Sequence, residues 1–270
     1  MDNLVIIRGG GDLASGIAIR LHRVGIKLII CELSEPLTVR RSVSFSEAVY
    51  QGEVKVEDVS AVLVSNLSEA IEIIDLGKIP VIIDPELSVL RELKPLVLID
   101  GRMRKKPPEE KIDSDAMLIG IGPGFNAGKD CDAVVESKRG HTLGRVIWQG
   151  NAIADTGIPG EVLGYAKERV LHAPQAGILR PQKTIGDFVE KDEIIAYVDG
   201  FPVLSSFDGM IRGMAHDGIR VHKGMKIGDV DPRRDPNLCQ LVSEKALAIA
   251  GGVLEVMLSN SKALTSLWHE

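Results

Sequence analysis

The fold of this chain is decided by a stretch close to its start, which reads Leu4-Val5-Ile6-Ile7-Arg8-Gly9-Gly10-Gly11-Asp12-Leu13-Ala14-Ser15-Gly16. A short apolar run enters three glycines, and apolar residues at helical spacing follow them. A second apolar run then ends at Glu32. Strand, glycine turn, helix, strand and acid is the order that a dinucleotide-binding βαβ unit requires. The stretch therefore predicts a site for a nucleotide or dinucleotide.

The residues of this turn have separate physical roles. Gly9 allows the tight turn, Gly11 lets a pyrophosphate approach the backbone, and Ala14 lets the helix pack on the strand. The free N–H groups at the start of the helix favour an anion. The predicted ligand-binding residues are Gly9, Gly10, Gly11, Asp12, Leu13, Ala14 and Ser15. The alternative is a glycine-rich turn that binds nothing.

Three charged residues bear on which nucleotide would bind. Glu32 follows Gly11 by about 20 residues, the distance at which an acid accepts hydrogen bonds from the adenosine ribose. An acid there favours NAD over NADP by charge. Arg40 and Arg41 follow and would reach a phosphate if their loop folds back, or else they are solvated. The cofactor expected is NAD(P) or another nucleotide.

The composition is that of a globular protein with two domains or one large one, since 44% of 270 residues are hydrophobic. A net charge of −6 argues against nucleic-acid binding. No run approaches the ~18–20 apolar residues of a membrane span, and no targeting signal is visible, so we expect a cytoplasmic protein. The cysteines and histidines show no metal-ligand spacing, so no metal site and no disulfide framework are predicted.

Further apolar runs alternate with helical segments. This alternation predicts an α/β fold whose first domain, residues 1–165, is a Rossmann-like, parallel, doubly wound sheet. Asp84 and Asp100 each end a strand, where they either face the ligand or cap the following turn. A second glycine-rich loop, containing Gly122 and Gly124, follows another strand and is expected to face the first turn across the sheet.

Two residues are candidates for acid–base chemistry. His141 lies among cations next to a glycine, and Lys129 follows the second glycine-rich loop. A hydride-transfer enzyme needs a proton donor near its nicotinamide, and either residue would supply it. No serine nucleophile elbow accompanies them. The alternative for His141 is a structural role in its turn.

Residues 166–232 have a different character. Short apolar runs alternate with glycines, and the segment contains two similar halves. This arrangement resembles the barrel-sandwich hybrid of biotinyl and lipoyl carrier domains. Those carriers place a lysine at the tip between the halves, whereas the tip here reads Asp199-Gly200-Phe201-Pro202. We therefore predict a small all-β module without covalent biotin or lipoate, acting as a structural cover or as a binding surface.

The sequence pattern of residues 233–270 predicts a C-terminal helix. Asp235 and Pro236 are typical of a helix start, and the helical pattern continues to about Leu258. Gly251 and Gly252 lie inside it and suggest that another backbone approaches closely. That backbone belongs either to the first domain or to a second copy of the chain, so a homo-oligomer is left open.

Taken together, these motifs resemble those of the YqeB family, which is associated with selenium-dependent molybdenum hydroxylase systems. The resemblance extends over nearly the whole chain, through residues 8–16, 39–52, 120–125, 138–141 and 245–252. It implies a cytoplasmic accessory or maturation protein with a molybdenum hydroxylase as its client. The glycine turn would then hold a nucleotide or a molybdopterin-type cofactor. The alternatives are an NAD(P)-dependent oxidoreductase and a non-catalytic scaffold with a vestigial site.

Overall fold

The computed structural model of this chain describes residues 4–109, 112–260, 263, 265 and 266. It is a mixed α/β structure with two compact units. The first unit comprises Met1–Pro36, Phe45–Thr156 and Val242–Glu270, and the second comprises Leu37–Ser44 and Gly157–Leu241. The sequence predicts boundaries after residues 165 and 232 instead, with residues 37–44 in the first domain.

The elements of the first unit alternate between strands and helices before they become mainly strands. In chain order they are β1 (Leu4–Arg8), α1 (Asp12–Arg23), β2 (Lys27–Glu32), α2 (Ala48–Gln51), β3 (Glu53–Val56), β4 (Val59–Val64), α3 (Leu67–Asp75), β5 (Ile79–Ile83), β6 (Val97–Asp100), β7 (Met117–Ile121), β8 (Asn126–Ala127), β9 (Ala133–Val135), β10 (Val146–Ile147) and β11 (Gly150–Asn151).

The second unit contains the strands β12 (Val170–His172), β13 (Gly177–Pro181), β14 (Phe188–Val189), β15 (Ile194–Val198), β16 (Phe201–Leu204), β17 (Gly209–Met214), β18 (Arg220–Val221) and β19 (Lys226–Asp231), followed by the helix α4 (Asn237–Gln240). The helix α5 (Glu244–Ser259) then returns to the first unit.

A nine-stranded sheet forms the centre of the first unit, in the order β10-β9-β7-β6-β1-β2-β5-β4-β3. The seven inner strands are parallel, and the two edge strands pair antiparallel. The inner strands are continuous apolar runs because both faces of a parallel sheet are covered. The parallel α/β sheet expected from the sequence is thus confirmed. The β3–β4 hairpin at its edge was not predicted.

The strand order changes direction at β1. The chain moves from β1 to β2 on one side of it, whereas β6 lies on its other side, with Arg8 opposite both Cys31 and Asp100. In an open α/β sheet, ligands bind outside the carboxyl ends of the strands at such a switch point. The topology therefore predicts a ligand site at the carboxyl ends of β1 and β6.

The second unit contains two four-stranded antiparallel sheets, ordered β12-β19-β17-β14 and β16-β15-β13-β18. Asp199 and Gly200 form the turn between β15 and β16, and both have positive φ. Phe201 and Pro202, which we expected at the tip, instead begin β16.

The long C-terminal helix is confirmed, but it begins later than expected. The segment after Pro236 forms only the short α4, and the chain is extended at Leu241. Ser243 then caps α5, since its Oγ accepts a hydrogen bond from Ala246 N at 3.2 Å. Close backbone approach is found at Gly252, where an added Cβ would lie 2.3 Å from Gly144 O.

Candidate functional site

The glycine turn is held tightly by its own surroundings. Gly9 has φ +91°, and a Cβ on it would lie 2.9 Å from Arg102 Cγ. A Cβ on Gly10 would lie 2.8 Å from Ser46 N, which donates to Gly10 O. Ser15 Oγ donates to the same carbonyl at 3.0 Å. Internal packing therefore accounts for two of the glycines before any ligand is considered.

Glu32 fastens the turn to the end of β2. Its Oε2 accepts from Gly10 N at 2.6 Å and its Oε1 from Leu33 N at 2.7 Å, with 8% of the residue exposed. Burial raises the pKa of this carboxyl group, and the two backbone hydrogen bonds oppose that rise. The carboxylate retains further lone pairs, so the ribose contact predicted for Glu32 stays a prediction.

The start of α1 carries no side-chain cap. Gly11 is the N-cap residue, and Asp12 supplies an acid in the first turn. Leu13 and Ala14 are buried, and Ala14 Cβ would lie 2.8 Å from a Cβ on Gly101. Ala14 thus packs against the residue that follows β6, which is the close approach that its small side chain permits. Backbone N–H groups of a first turn are donors for an anion.

A cavity of about 340 Å³ lies at the switch point, beside the ends of β1, β6 and β7. Its lining combines three arginines, four acids and a few apolar side chains. The lining residues are Arg8, Glu86, Asp100, Arg102, Arg104, Pro108, Glu109, Ile112, Leu118, Phe125 and Asp130.

Asp100 and Arg102 form the fixed ion pair of this cavity. Asp100 is 1% exposed, and Arg102 donates to it from Nε at 2.9 Å and from its terminal nitrogen at 2.5 Å. Two donors on two carboxylate oxygens make a bidentate pair, which holds the guanidinium in one orientation. The same Arg102 side chain lies against Gly9. The pair therefore connects the cavity to the glycine turn.

Arg8 is the less satisfied cation. Its terminal nitrogen donates to Pro85 O, but its buried Nε has no hydrogen-bond partner within the described part of the chain. Burial and the neighbouring Arg102 lower the pKa of Arg8. A buried donor without an acceptor costs about 1–3 kcal/mol, so an incoming oxygen atom would be stabilised here.

Asp84, which also ends a strand, has a structural role. Its Oδ1 accepts from Ser88 N at 2.9 Å and its Oδ2 from Val89 N at 2.8 Å. Burial alone would raise the pKa of Asp84, but these hydrogen bonds lower it. Of the two strand-ending acids, Asp84 caps its turn and Asp100 lines the cavity.

Arg40 and Arg41 lie in the second unit and bind backbone carbonyls there. Arg40 donates to Leu238 O at 3.0 Å, and Arg41 donates through Nε to Met214 O at 2.7 Å. Arg40 is only 8% exposed. These hydrogen bonds engage both guanidinium groups within the second unit, and the predicted phosphate contact stays a prediction.

The second glycine-rich loop packs beside the cavity. A Cβ on Gly124 would lie 2.6 Å from Arg104 O, and one on Gly122 would lie 3.1 Å from Ser137 Oγ. Lys129 and His141 are exposed, and neither belongs to the cavity lining that the structure describes. The loop is therefore brought to the site, whereas the two acid–base candidates remain on the surface.

Sequence reasoning missed the residues with the most direct bearing on this cavity. Arg8 ends β1, and Arg102 and Arg104 follow β6 in a segment that the sequence analysis leaves without a role. A cation directly after a strand at the switch point is a usable signal, because that position faces the ligand edge. Lys245 of α5 is a further cation that the sequence of the glycine turn does not predict.

Other chemistries receive less support from the described residues. All three cysteines are free and buried, and burial raises the pKa of Cys131 to about 12, which keeps that thiol protonated near neutral pH. Across residues 4–109 and 112–260, no group of three or more His, Cys, Asp or Glu side chains is arranged to hold a metal ion. Of the helices in the described ranges, none is long and apolar enough to cross a membrane.

Comparison with known proteins finds a curated relative and several distant structural likenesses. The chain is 45% identical over 255 residues to the uncharacterized protein YqeB of Escherichia coli strain K12, an alignment that covers 94% of this chain and 47% of the relative. The chain thus spans about half the length of that relative. No protein-family model matches the chain.

The structural likenesses are to aspartoacylase-type proteins. A succinylglutamate desuccinylase/aspartoacylase of Rhodobacter sphaeroides gives a TM-score of 0.22 at 22% identity, over 24% of this chain and 22% of that one. An aspartoacylase family protein of Mesorhizobium loti gives a TM-score of 0.25 at 10% identity, over 85% of this chain and 84% of that one. Scores this low carry no argument about fold or activity.

Proposed function

We propose that this protein binds a phosphorylated, nucleotide-type ligand at the carboxyl edge of the nine-stranded sheet. The observation that carries the proposal is Arg8, whose buried Nε–H has no acceptor among the described residues and whose side chain lines the cavity at the switch point. A phosphate oxygen is the acceptor that a guanidinium binds best. The first unit is then a Rossmann-like domain in both topology and use.

The charge pattern of the cavity narrows the ligand class. Arg8 and Arg104 favour phosphate, whereas Glu86, Glu109 and Asp130 accept hydrogen bonds from hydroxyl or N–H groups. Ribose hydroxyls and the N–H groups of a purine or pterin are such donors. A volume of about 340 Å³ lies at the lower end of ligand sites, so the cavity suits one nucleotide or pterin moiety.

We further propose an accessory role in the maturation of a selenium-dependent molybdenum hydroxylase, in which the ligand is a molybdopterin-type cofactor or a nucleotide. The support is the motif resemblance to the YqeB family together with the 45% identity to the Escherichia coli protein. The client would be the hydroxylase. The second unit, as a barrel-sandwich module without an attachment lysine, would contact the client.

Hydride transfer ranks second, because its two predicted proton donors, Lys129 and His141, are exposed and lie outside the cavity lining described above. A scaffold that binds no ligand ranks third. It offers no explanation for a buried Arg8 Nε–H that lacks an acceptor within the described ranges.

The test is equilibrium binding of NAD, NADP, ATP, CTP and a pterin dinucleotide to the purified protein, together with mass spectrometry of small molecules that co-purify with it. We expect one of these ligands to bind, and we expect the Arg8→Gln variant to bind that ligand more weakly. Absence of binding by all five, with no co-purifying nucleotide or pterin, would overturn the proposal. Activation of the hydroxylase with and without Gly11→Asp then tests the accessory role separately.

A further inference from the structure

Lys245 is positioned at the start of α1 by the packing of α5. It is the second residue of α5, after the capping residue Ser243 and Glu244. The next residue, Ala246, lies against Gly16 of α1, where an added Cβ would be 2.6 Å from Ala246 Cβ. Because the neighbouring residue is fixed this closely, Lys245 is held near α1, and its amine feels the charge of Asp12 in the first turn of that helix.

The amine of Lys245 has a poor partner. Its Nζ donates to Met103 Sδ at 3.8 Å, and a thioether is only a weak acceptor. Met103 itself has φ +52°, a left-handed conformation that non-glycine residues adopt uncommonly. Residues held in such conformations cluster at ligand sites. A cation and a strained loop residue thus meet beyond the end of β6, one residue from Arg102.

Charged groups from several segments surround this amine. Burial lowers the pKa of Lys245, and the nearby Arg139 lowers it further, while Asp12, Glu136 and Asp155 raise it. Burial is the largest of these causes, so the carboxylates do not restore the ordinary affinity of the amine for a proton.

Two of these carboxylates are already engaged elsewhere. Glu136 accepts from Lys138 N at 2.7 Å and from Ile153 N at 2.8 Å. Asp155 pairs with Lys105 at 2.9 Å. These donors compete with Lys245 for the two carboxylates, so an added anion would be a new partner for the amine.

We propose that Lys245 binds an anionic group of the ligand on the α1 side of the loop formed by residues 101–104. This anion site is distinct from the Arg8 cavity. The protonated amine pairs with the oxyanion, so anion binding raises the pKa of Lys245. The identity of that anion as a phosphate rests on the function proposed above. Affinity consequently falls as the pH rises and the amine loses its proton.

Sulfate tests the site directly, because it mimics phosphate and its charge is fixed near neutral pH. The lysines are reductively methylated with ¹³C-formaldehyde, the Lys245 signal is assigned with Lys245→Arg, and each signal is titrated with pH. Sodium sulfate is compared with sodium chloride at equal ionic strength. We expect sulfate to move the titration midpoint of Lys245 upward, and to leave that of Lys27, exposed at the start of β2, unchanged. An unchanged Lys245 midpoint would overturn the inference.

Variants separate this inference from the proposed function. Lys245→Met should lower the affinity for the nucleotide identified in the binding panel by about tenfold or more. Lys245→Arg should retain part of that affinity, and Lys27→Met should retain all of it. If the protein binds a nucleotide and Lys245→Met binds it equally well, the inference fails and the proposed function stands. If no nucleotide binds but sulfate shifts Lys245, the proposed function fails and an anion site at Lys245 stands.

Discussion

Gly16 of α1 and Ala246 of α5 lie in direct contact, so close that a Cβ on Gly16 would be 2.6 Å from Ala246 Cβ. The absence of one side chain thus sets the distance between the two helices. Because α5 carries Lys245 and α1 follows the glycine turn, this contact also sets the position of Lys245 relative to that turn.

The first prediction concerns this contact. We expect Gly16→Ala to lower the free energy of unfolding by about 1–3 kcal/mol, because the added methyl overlaps Ala246. The control is Gly251→Ala in α5, where an added Cβ meets no atom within 4 Å and should stabilise the helix by about 0.5–1 kcal/mol. Urea unfolding measures both. Equal stability of the two variants would contradict this account of the helix pair.

The second prediction concerns Arg8. Arg8→Gln removes a charged donor from the cavity and should weaken nucleotide binding by about 10- to 100-fold, the effect of losing a charge-assisted hydrogen bond of about 1.5–3 kcal/mol. Arg20→Gln, on the exposed face of α1, is the matched control and should bind normally. Calorimetric titration gives both affinities. If the two variants bind alike, phosphate is recognised elsewhere.

The third prediction concerns pH and Glu32. Burial raises the pKa of Glu32 in the folded protein above that of the unfolded chain, about 4.3. Its contribution to stability is therefore greatest below that value and declines as the pH rises through the raised folded pKa.

Glu32→Gln lacks this titration. The stability of the native protein minus that of Glu32→Gln should fall as the pH rises from about 4 through the raised folded pKa of Glu32. Urea unfolding across this range supplies the measurement. A flat difference for Glu32→Gln would show that the carboxylate is not held in a desolvating site.

The fourth prediction concerns the ion-pair cluster of the second unit. The side chain of Asp231 is 0% exposed and pairs with Arg233 at 2.8 Å and Arg169 at 3.3 Å. Asp231→Asn removes one of the two buried carboxylates that pair with Arg169 and Arg212, leaving only Asp229, and should cost about 3–5 kcal/mol. Asp217→Asn, which removes the exposed pair with Arg180, should cost about 0–1 kcal/mol.

The pH dependence of this cluster has the opposite sign to that of Glu32. Burial alone would raise the pKa of Asp231, but the hydrogen bonds from Arg233 lower it below the ordinary value. The stabilisation by Asp231 is thus present above the pKa of the unfolded chain and is lost as the pH falls through the folded pKa. A small, pH-independent loss in Asp231→Asn would argue against a tightly paired cluster.

The parallel sheet was predictable because its strands are short, continuous apolar runs bounded by turns. The β3–β4 hairpin was not, since only Val56 of β3 is fully buried and its residues give little apolar signal. The break before α5 was missed for a different reason. Leu241 and Val242 continue the apolar pattern across it, and only the Ser243 cap marks the new start.

The glycine turn was predictable as a motif, because a tight turn and a close backbone contact require residues without side chains. The residues around it were not. Arg8 carries meaning only once β6 is known to lie beside β1, and Lys245 only once α5 is known to pack on α1. Both depend on contacts between distant segments, which local patterns do not contain.

The path of the chain between the two units has a consequence for how the protein is made. The segment Gly157–Leu241 belongs to the second unit, and α5 follows it in the chain but packs on α1. A ribosome therefore releases α1 long before its partner helix, and the first unit is completed only after the second has emerged. A fragment that stops at Thr156 would expose the surface of α1 around Gly16 and should aggregate, although it contains all nine strands of the large sheet.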